Sequence, residues 1–518
     1  MNGSAEDDAL FLVFVVAAAL FVLLSARACT RHHPHQETNT QSEIAWQRDA
    51  YLIAILALGA LMMSGPIFGF SCIKPVLSAA HAFEGLCKGQ CDDRLVNQCC
   101  AAQDGRLDTL AFVSFCAADA SMVMWGQISD EKSPSSALAI GLLITIAGYI
   151  TLGLNFMLLH SDVMWWIAFV SIAVGGPGVY MGCFSMIEAC PTISFILSGV
   201  LAGMFDASSI VFPFFSLVHS EWGVSLHVVC FGWCVLCGVV GMVIYPECRR
   251  SANGESKHGY AEIAATDSNE ERKAEAPEAG GSIWHYFCRT DTVLLLGFMS
   301  VCNLKSTFFI ATIDQQLRYL GAIPSDKKAA LLQYWYAALP AGGVLMSLVA
   351  PVLIKATRDC RHVLFSVALG LVAIQAICNM GLSLNDQVLA ATLLGPSRTL
   401  LWASYFDYVS DVRVYPPDVM GRIFGYGFVP IALISDLSPV VLADTISGAS
   451  AKHDPFQAIN FAFSAGLVCC STLPLYLLWH HADTLSKGSK KSTEHKQHEP
   501  ASAIEPDSKA ETPLELIT

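Results

Sequence analysis

Four ionisable side chains stand inside long apolar stretches of the sequence, where charge is rare. They are Asp119, Asp206, Lys305 and Arg398. On scales that measure the insertion of helices into membranes, such a residue costs about 2.5–3.5 kcal/mol at the middle of the bilayer. Residues kept at that cost face a cavity or pair with one another. These four are therefore the first candidates for a functional site.

The types of these side chains indicate what they could bind. Lys305 and Arg398 could hold a carboxylate, and Asp206 could hold an amine or a proton. A zwitterionic amino acid needs both of its charges to be matched. Asp119 and Asp206 could also carry a proton or belong to a charge pair. The alternative is an internal salt bridge among these groups that touches no substrate.

The composition places the chain in a membrane. Of its 518 residues 54% are hydrophobic and only 14% are charged, and the mean hydropathy is +0.50. A soluble protein carries about a quarter charged residues. The net charge of −14 argues against binding to nucleic acid. Most of the 19 cysteines lie within apolar stretches, where they act as small buried hydrophobic residues.

Twelve apolar segments must position the charged residues, and each has about the 20 residues that a helix needs to cross a bilayer. Lipid offers the backbone no hydrogen-bond partner, and the segments lack the alternation of a β-barrel, so we expect helices. A charged stretch, residues 246–290, separates two sets of six. The first set is 51–72, 109–128, 136–156, 164–184, 191–213 and 225–245, and the second is 291–313, 329–354, 362–382, 388–408, 420–442 and 456–480.

This layout predicts an all-α polytopic membrane protein with two six-helix bundles, residues 51–245 and 291–480. If residues 26–50 are cytosolic and the sides alternate, about two thirds of the 30 Lys and Arg residues fall on the cytosolic side, as membrane topology favours. The central loop 246–290 and the tail 481–518 are then cytosolic. The polar composition of the tail predicts disorder.

A further apolar run, residues 9–25, precedes the twelve segments. Its N-terminal flank is acidic and its C-terminal flank is basic, whereas a cleaved signal peptide normally begins with basic residues. The pattern favours a thirteenth helix with its N-terminus outside, and a cleaved signal is the alternative. Residues 1–50 would then comprise this signal-anchor helix and a basic, His-rich linker.

The longest predicted outside loop, residues 73–108, is rich in cysteine. In an oxidising compartment we expect one or two disulfides, whose pairing the sequence does not settle. A zinc site is the weaker alternative because the loop lacks paired CxxC knuckles, and we predict no metal and no cofactor. The four cysteines are Cys87, Cys91, Cys99 and Cys100.

A loop motif follows the second segment, with Gly126 four residues before Asp130. Gly126 permits close helix approach, and the carboxylate of Asp130 can meet a cation or a helix N-terminus. The motif resembles the loop between the second and third helices of the major facilitator superfamily, although Glu131 and Ser133 stand where that family prefers Arg and Gly. The resemblance implies that Asp130 holds a cytosolic gate shut against the start of the eleventh segment, where Arg422 lies.

Gly-Pro pairs occur in three segments, at 65–66, 176–177 and 395–396. Proline removes a backbone donor and kinks a helix, and broken helices are where transporters place their substrate sites. In the family that the loop resembles, the first, fourth, seventh and tenth helices line the central cavity. The substrate-binding candidates are therefore Gly65, Pro66, Asp206, Ser208, Ser209, Lys305, Thr307, Arg398 and Tyr405.

A narrower resemblance is to solute carrier family 43, the facilitators of large neutral amino acids, and to their fungal and apicomplexan relatives. It implies facilitated transport of an amino acid without a dedicated ion-coupling motif. Patches between about residues 50 and 480 carry it, namely 65–69, 73–87, 198–209, 306–317, 398–405 and 421–425.

We therefore expect a carrier that moves a small polar solute by alternating access, and the sequence favours an amino acid as that solute. The alternatives are a proton-coupled carrier of organic anions or sugars and a non-transporting receptor or assembly protein. A membrane enzyme is disfavoured because no constellation of metal ligands or nucleophile stands near a membrane face. The expected partners are the substrate and the lipid bilayer, with a monomer plausible. The plasma membrane is favoured over an organellar membrane.

Overall fold

The computed structural model describes residues 41–87, 101–189, 193–250, 283–319, 324–411, 414–416, 419–435 and 455–482. Helices dominate these residues, and none of them lies in a β-strand. The predicted helix over 9–25, three of the four loop cysteines, most of the central loop and nearly all of the tail lie outside the described residues. The predictions made for them remain predictions.

The N-terminal half contains eight long helices in the described residues. One pair of them forms the first predicted segment, and another pair forms the fifth. The helices are α1 Gln41–Met63, α2 Phe70–Ala79, α3 Ala101–Glu131, α4 Pro134–Leu154, α5 Asp162–Phe184, α6 Ser194–Ala207, α7 Val211–Trp222 and α8 Leu226–Arg250.

The C-terminal half contributes one described helix for each of its six predicted segments. The last of them runs on to Ala482 after a turn. These helices are α9 Thr290–Tyr319, α10 Ser325–Ala356, α11 Arg361–Met380, α12 Leu384–Val409, α13 Met420–Ser435 and α14 Pro455–Cys470.

Most of the helices can cross a membrane. Within the described part of the chain, nine are long and apolar enough, and a bent pair gives a tenth span. The helix α12 has 26 residues, about 39 Å at 1.5 Å per residue, and is also long enough although it carries Arg398. The chain is an integral, multi-pass membrane protein.

The first segment, predicted as one helix over 51–72, is broken. The helix α1 ends, a 3-10 turn spans Pro66–Gly69, and α2 follows at an angle of 53°. Pro66 has no backbone N–H, so it cannot continue the helical ladder. A methyl group on Gly65 would lie 3.0 Å from Ser208 Oγ, which shows how closely this break approaches the fifth segment.

The fifth segment is interrupted at the same place, where a 3-10 turn, Ser208–Ile210, joins α6 to α7. The two serine hydroxyls of this turn bond to carbonyls of the preceding turn of helix. Ser208 Oγ donates to the carbonyl of Phe205 at 2.5 Å, and Ser209 Oγ donates to that of Asp206 at 2.7 Å. Their hydrogen bonds are therefore used within the turn.

The other two Gly-Pro pairs do not break their helices. Pro177 lies inside α5 and Pro396 inside α12, and both helices are continuous. The prediction of broken helices is therefore wrong at these two positions. The glycines instead allow neighbours to approach, since a methyl group on Gly176 would lie 2.6 Å from the carbonyl oxygen of Ser64, and one on Gly395 would lie 2.8 Å from Gly342 Cα.

The two halves meet most extensively along two pairs of helices, α6 with α10 and α3 with α13, and α6 also packs against α12. Gly203 and Gly343 cross so closely that a methyl group on either would lie 2.5–2.6 Å from the carbonyl oxygen of the other. At the second crossing a methyl group on Gly126 would overlap the carbonyl of Gly421. Small residues at both crossings bring the backbones together, as is usual for helices in lipid.

Candidate functional site

A cavity lies between the two halves, with walls from both. Its free volume, including the open space at its mouth, is about 440 Å³. Seven of the twelve lining side chains are aromatic, and two carry charge, so the cavity is an apolar space with a few polar groups. The lining residues are Phe68, Phe115, Asp119, Met122, Tyr180 and Phe205 from the N-terminal half, and Asn303, Thr307, Arg398, Trp402, Phe406 and Phe428 from the C-terminal half.

A buried ion pair joins the two halves at this wall. Arg398 Nη1 of α12 donates to Asp206 Oδ1 of α6 at 2.5 Å, and Thr399 Oγ1 donates to Asp206 Oδ2 at 2.9 Å. Both charged side chains are at most 3% exposed. The structure therefore contains the internal salt bridge that the sequence left open as an alternative to direct substrate contact.

The ion pair leaves part of Arg398 available to the cavity. Its guanidinium carbon lies 4.7 Å from the centre of the Phe68 ring, a cation–π contact that orients the group. Arg398 lines the cavity, whereas Asp206 stands behind it. Because Asp206 neutralises Arg398 without covering it, the part of the wall around Arg398 presents N–H donors with little net charge, and Asp119 on the other half is the second charged residue of the lining.

Four polar atoms that belong to residues of the cavity lining are buried and have no hydrogen-bond partner among the described residues. They are Arg398 Nε, Trp402 Nε1, the Tyr180 hydroxyl and Asn303 Oδ1. An unsatisfied buried polar group costs about 1–3 kcal/mol. Such groups are few in native proteins, and four on one wall mark a place where a polar ligand would be stabilised.

The remaining predicted substrate residues, together with Asp119 as the possible proton or charge-pair residue, divide into three sets. Thr307 and Asp119 line the cavity. Gly65, Pro66, Ser208 and Ser209 are buried at the two helix breaks beside it, where they shape the backbone. The third set, Lys305 and Tyr405, is buried but does not belong to the cavity lining.

Lys305 in particular points elsewhere. Its Nζ lies 5.5 Å from the centre of the Phe309 ring and has no hydrogen-bond partner in the described part of the chain. Its neighbours on α9, Asn303 and Thr307, reach the cavity instead. Two residues along a helix turn the side chain by about 200°, so Lys305 and these neighbours cannot share a face.

Sequence reasoning missed Asn303, Thr399 and the aromatic wall. Asn303 stands two residues before Lys305 and carries no charge to single it out. The aromatic residues are indistinguishable by type from those that face lipid. Only Thr399 could have been identified from the sequence, since it follows Arg398 directly.

The predicted gate residues lie together. Asp130 accepts hydrogen bonds from the backbone N–H groups of Gly421 and Arg422 at 2.9 and 2.8 Å, and from Arg422 Nε at 3.4 Å. The carboxylate therefore caps the N-terminus of α13, where the helix dipole favours negative charge. The predicted contact with Arg422 exists, but its shorter hydrogen bond goes to the backbone rather than to the guanidinium. Its role as a gate remains a prediction.

A second layer of contacts between the halves lies between the cavity and Asp130. Phe184 of α5 packs on Phe406 at 5.3 Å and on Phe424 at 4.5 Å between ring centres. Gln127 Nε2 donates to the Tyr426 hydroxyl at 2.5 Å. These contacts close the predicted cytosolic side of the cavity.

Similar solved structures identify the fold. The proton:xylose symporter XylE of the major facilitator superfamily, bound to 6-bromo-6-deoxy-D-glucose, matches with a TM-score of 0.57 and 11% identity, covering 82% of this chain and 95% of that one. The human organic anion transporter MFSD10 matches with a TM-score of 0.55 and 14% identity, covering 82% and 99%. This chain has the major facilitator fold. The predicted fold class is confirmed.

Sequence comparison reaches less far than the fold. No family model matches the chain. Protein FMP42 of Saccharomyces cerevisiae is 30% identical over 182 residues. That match covers 34% of this chain and about a third of the yeast protein. Membership of solute carrier family 43 remains a prediction.

One loop of this major facilitator fold is held by a disulfide. Cys87 is disulfide-bonded, and its partner lies outside the described residues, because every other described cysteine is free. Nearby, Gln103 Nε2 donates to the carbonyl of Ala82 at 2.7 Å and ties the start of α3 to the same loop. The bond agrees with an oxidising environment for this side. The pairing of Cys87, which the sequence left open, lies outside the described residues.

A charged cluster binds the helix ends of the C-terminal half on the predicted cytosolic side. Arg361 at the start of α11 pairs with Asp411 after α12, and Tyr408 donates to Asp291 at 2.8 Å. The Tyr415 hydroxyl lies 2.8 Å from Thr292 Oγ1, and burial raises its pKa to about 12. Tyr415 is therefore neutral at physiological pH.

Within the described ranges, no three His, Cys, Asp or Glu residues come together as a metal site.

Proposed function

We propose that this protein is a transmembrane carrier that moves an amino acid by alternating access between the two sides of the bilayer. The observation that carries the proposal is the cavity between the halves, with its four unpartnered polar atoms and aromatic walls. Wall residues from both halves mean that relative motion of the halves would open and close the site. The fold neighbours, a sugar symporter and an organic anion transporter, support transport as the general activity.

The chemistry of the cavity favours a zwitterion with an apolar body. The donors Arg398 Nε and Trp402 Nε1 suit a carboxylate, and the rings of Phe68, Phe115 and Phe205 suit an apolar side chain. Since Asp206 already neutralises Arg398, a free anion would bring an unbalanced charge into the low-dielectric interior. A zwitterion brings none.

Alternating access requires the contacts on the closed side to break. On the predicted cytosolic side these are the cap of Asp130 on α13 and the aromatic layer around Phe184. The substrate can drive the change only by binding the occluded form better than the open ones, since equal affinity shifts no equilibrium. Closing the aromatic walls on an apolar side chain provides that difference.

The second candidate function is a proton-coupled carrier of organic anions. It is favoured by one observation, the contact of Arg398 with Asp206, since protonation of Asp206 would release the guanidinium to bind an anion. In this case uptake of the anion would follow an imposed pH gradient. For the amino-acid carrier we expect uptake without such a gradient.

Uptake by reconstituted protein tests the proposal. Purified full-length protein in liposomes is offered each of a panel of radiolabelled amino acids, with D-xylose and benzoate as representatives of sugars and organic anions. We expect saturable uptake of at least one amino acid that Arg398→Ala abolishes and that Arg358→Ala, at an exposed arginine, leaves intact. Saturable uptake of D-xylose or benzoate alone would replace the amino acid as cargo, and an absence of flux for all probes would favour a receptor. The location of the same protein with a fluorescent tag would test the prediction of the plasma membrane.

A further inference from the structure

Asn303 presents a fixed hydrogen-bond acceptor to the central cavity. The side chain lines the cavity from α9 and is 3% exposed. Its Nδ2 donates to Ser435 Oγ of α13 at 2.9 Å, which holds the amide in place. Its Oδ1 is buried and has no partner among the described residues.

This acceptor complements the other unpartnered atoms of the wall. Arg398 Nε and Trp402 Nε1 can only donate, and the Tyr180 hydroxyl can do either. Asn303 Oδ1 can only accept. A ligand that satisfies all of these atoms therefore carries an acceptor for Arg398 and an N–H or O–H donor for Asn303.

The two residues that a ligand must satisfy in this way belong to the same half of the protein. Asn303 lies on α9 and Arg398 on α12, both in the C-terminal half, whereas Phe68, Phe115 and Phe205 belong to the N-terminal half. A cargo with one polar end and one apolar end can place its polar end on Asn303 and Arg398 and its apolar end on these rings, although Trp402, Phe406 and Phe428 add aromatic surface from the C-terminal half. An α-amino acid has this shape.

We infer that Asn303 is the specificity-determining residue that recognises the α-ammonium group of the cargo, opposite the carboxylate that Arg398 binds. This inference rests on the proposed function. A neutral amide suits the task because Asp206 already balances Arg398 and Asp119 already adds a carboxylate to the lining from the N-terminal half, so a further carboxylate would favour simple amines over zwitterions. Ser435 has a positioning role, since it holds the amide with its Oδ1 free.

The test compares an amino acid with an analogue that lacks only the ammonium group. The probes are L-phenylalanine, chosen for the aromatic walls, and 3-phenylpropionate, which has no donor at the α-carbon, with any other amino acid found in the uptake panel paired to its own des-amino acid. The variants are Asn303→Leu, which removes the acceptor at similar volume, and Asn303→Asp, which keeps it. The matched control is Asn379→Leu, at a buried asparagine that lies outside the central cavity.

A hydrogen bond to a charged group predicts a wild-type KM about tenfold to a hundredfold lower for the amino acid than for the des-amino acid. We expect Asn303→Leu to reduce this ratio to about twofold by raising the KM of the amino acid, with a smaller change in kcat. Asn379→Leu should keep the wild-type ratio. A preserved ratio in Asn303→Leu would overturn the inference while the proposed function stands, whereas a wild type that takes up no amino acid would overturn both.

The second variant decides the matter if Asn303→Leu fails to give a monodisperse protein. Asn303→Asp should keep the preference for the amino acid and gain saturable uptake of phenethylamine, which has the ammonium group without the carboxylate. If Asn303→Asp gains no uptake of phenethylamine and loses no uptake of 3-phenylpropionate, Asn303 does not face the ammonium group.

Discussion

Arg398 and Asp206 form a buried ion pair across the two halves of the molecule, with Arg398 Nη1 2.5 Å from Asp206 Oδ1. The pair is both a structural link and part of the wall of the cavity. Removing one partner of such a pair leaves an uncompensated charge in a site of low dielectric, whereas removing both leaves none. This difference separates its structural role from its role in transport.

The first prediction uses that difference. Arg398→Ala and Asp206→Ala should each lower the free energy of unfolding by about 3–5 kcal/mol, and the double variant Asp206→Ala/Arg398→Ala should recover part of the loss. Transport should be absent in all variants that lack Arg398. Melting temperatures in detergent and uptake into liposomes measure the two effects, with Arg358→Ala as the control. Uptake by the double variant at the wild-type rate would remove Arg398 from the substrate site.

The second prediction concerns the cap of Asp130 on α13. Asp130→Ala removes the acceptor for three N–H groups and should shift the protein toward an arrangement open on the predicted cytosolic side. Cysteines placed at Gln127 and Tyr426, whose side chains bond in the closed arrangement, report on closure by cross-linking in a background without the free native cysteines. We expect weaker cross-linking in Asp130→Ala and no change in Glu131→Ala, at an exposed neighbour. Equal cross-linking in both would show that Asp130 does not hold the halves together.

The third prediction tests the close approach at the same crossing. A methyl group on Gly126 would overlap the carbonyl of Gly421, so Gly126→Ala should separate α3 from α13 and cost about 1–3 kcal/mol in the closed arrangement. The same cross-linking pair measures the effect. Gly297→Ala is the control because a methyl group there meets open space. A Gly126→Ala variant that cross-links as well as Gly297→Ala would show that the crossing is looser than the structure indicates.

The fourth prediction concerns the disulfide of Cys87. Cys87→Ser should lower the free energy of unfolding by about 2–4 kcal/mol, because the cross-link restricts the unfolded chain. Peptide mapping by mass spectrometry without reduction should find Cys87 joined to Cys91, Cys99 or Cys100. Cys288→Ser, at an exposed free cysteine, should change neither measurement. Recovery of Cys87 as a free thiol in the folded protein would contradict the prediction.

The helices themselves follow from the sequence because their cause is local. In lipid a backbone N–H has no partner outside its own helix, so an apolar stretch of sufficient length becomes a helix whatever surrounds it. The missing N–H of Pro66 is equally local, but it does not decide the break alone, because Pro177 and Pro396 lack the same group within continuous helices. The motif of Gly126 and Asp130 after the second segment could also be recognised from the sequence, because it lies at the end of a single helix.

The sequence does not predict in the same way which side chains line the cavity. The lining depends on how each helix is rotated about its own axis, and packing against neighbouring helices sets that rotation. The rotation of α9 brings Asn303 and Thr307 to the wall and turns Lys305 away, and nothing in the segment alone distinguishes these outcomes. The pairing of Asp206 with Arg398, 192 residues later, likewise required the packing of α6 against α12. The sequence therefore determined which segments cross the membrane and which charges they carry, and the tertiary structure decided which charges meet, since helix formation is local and helix rotation is collective.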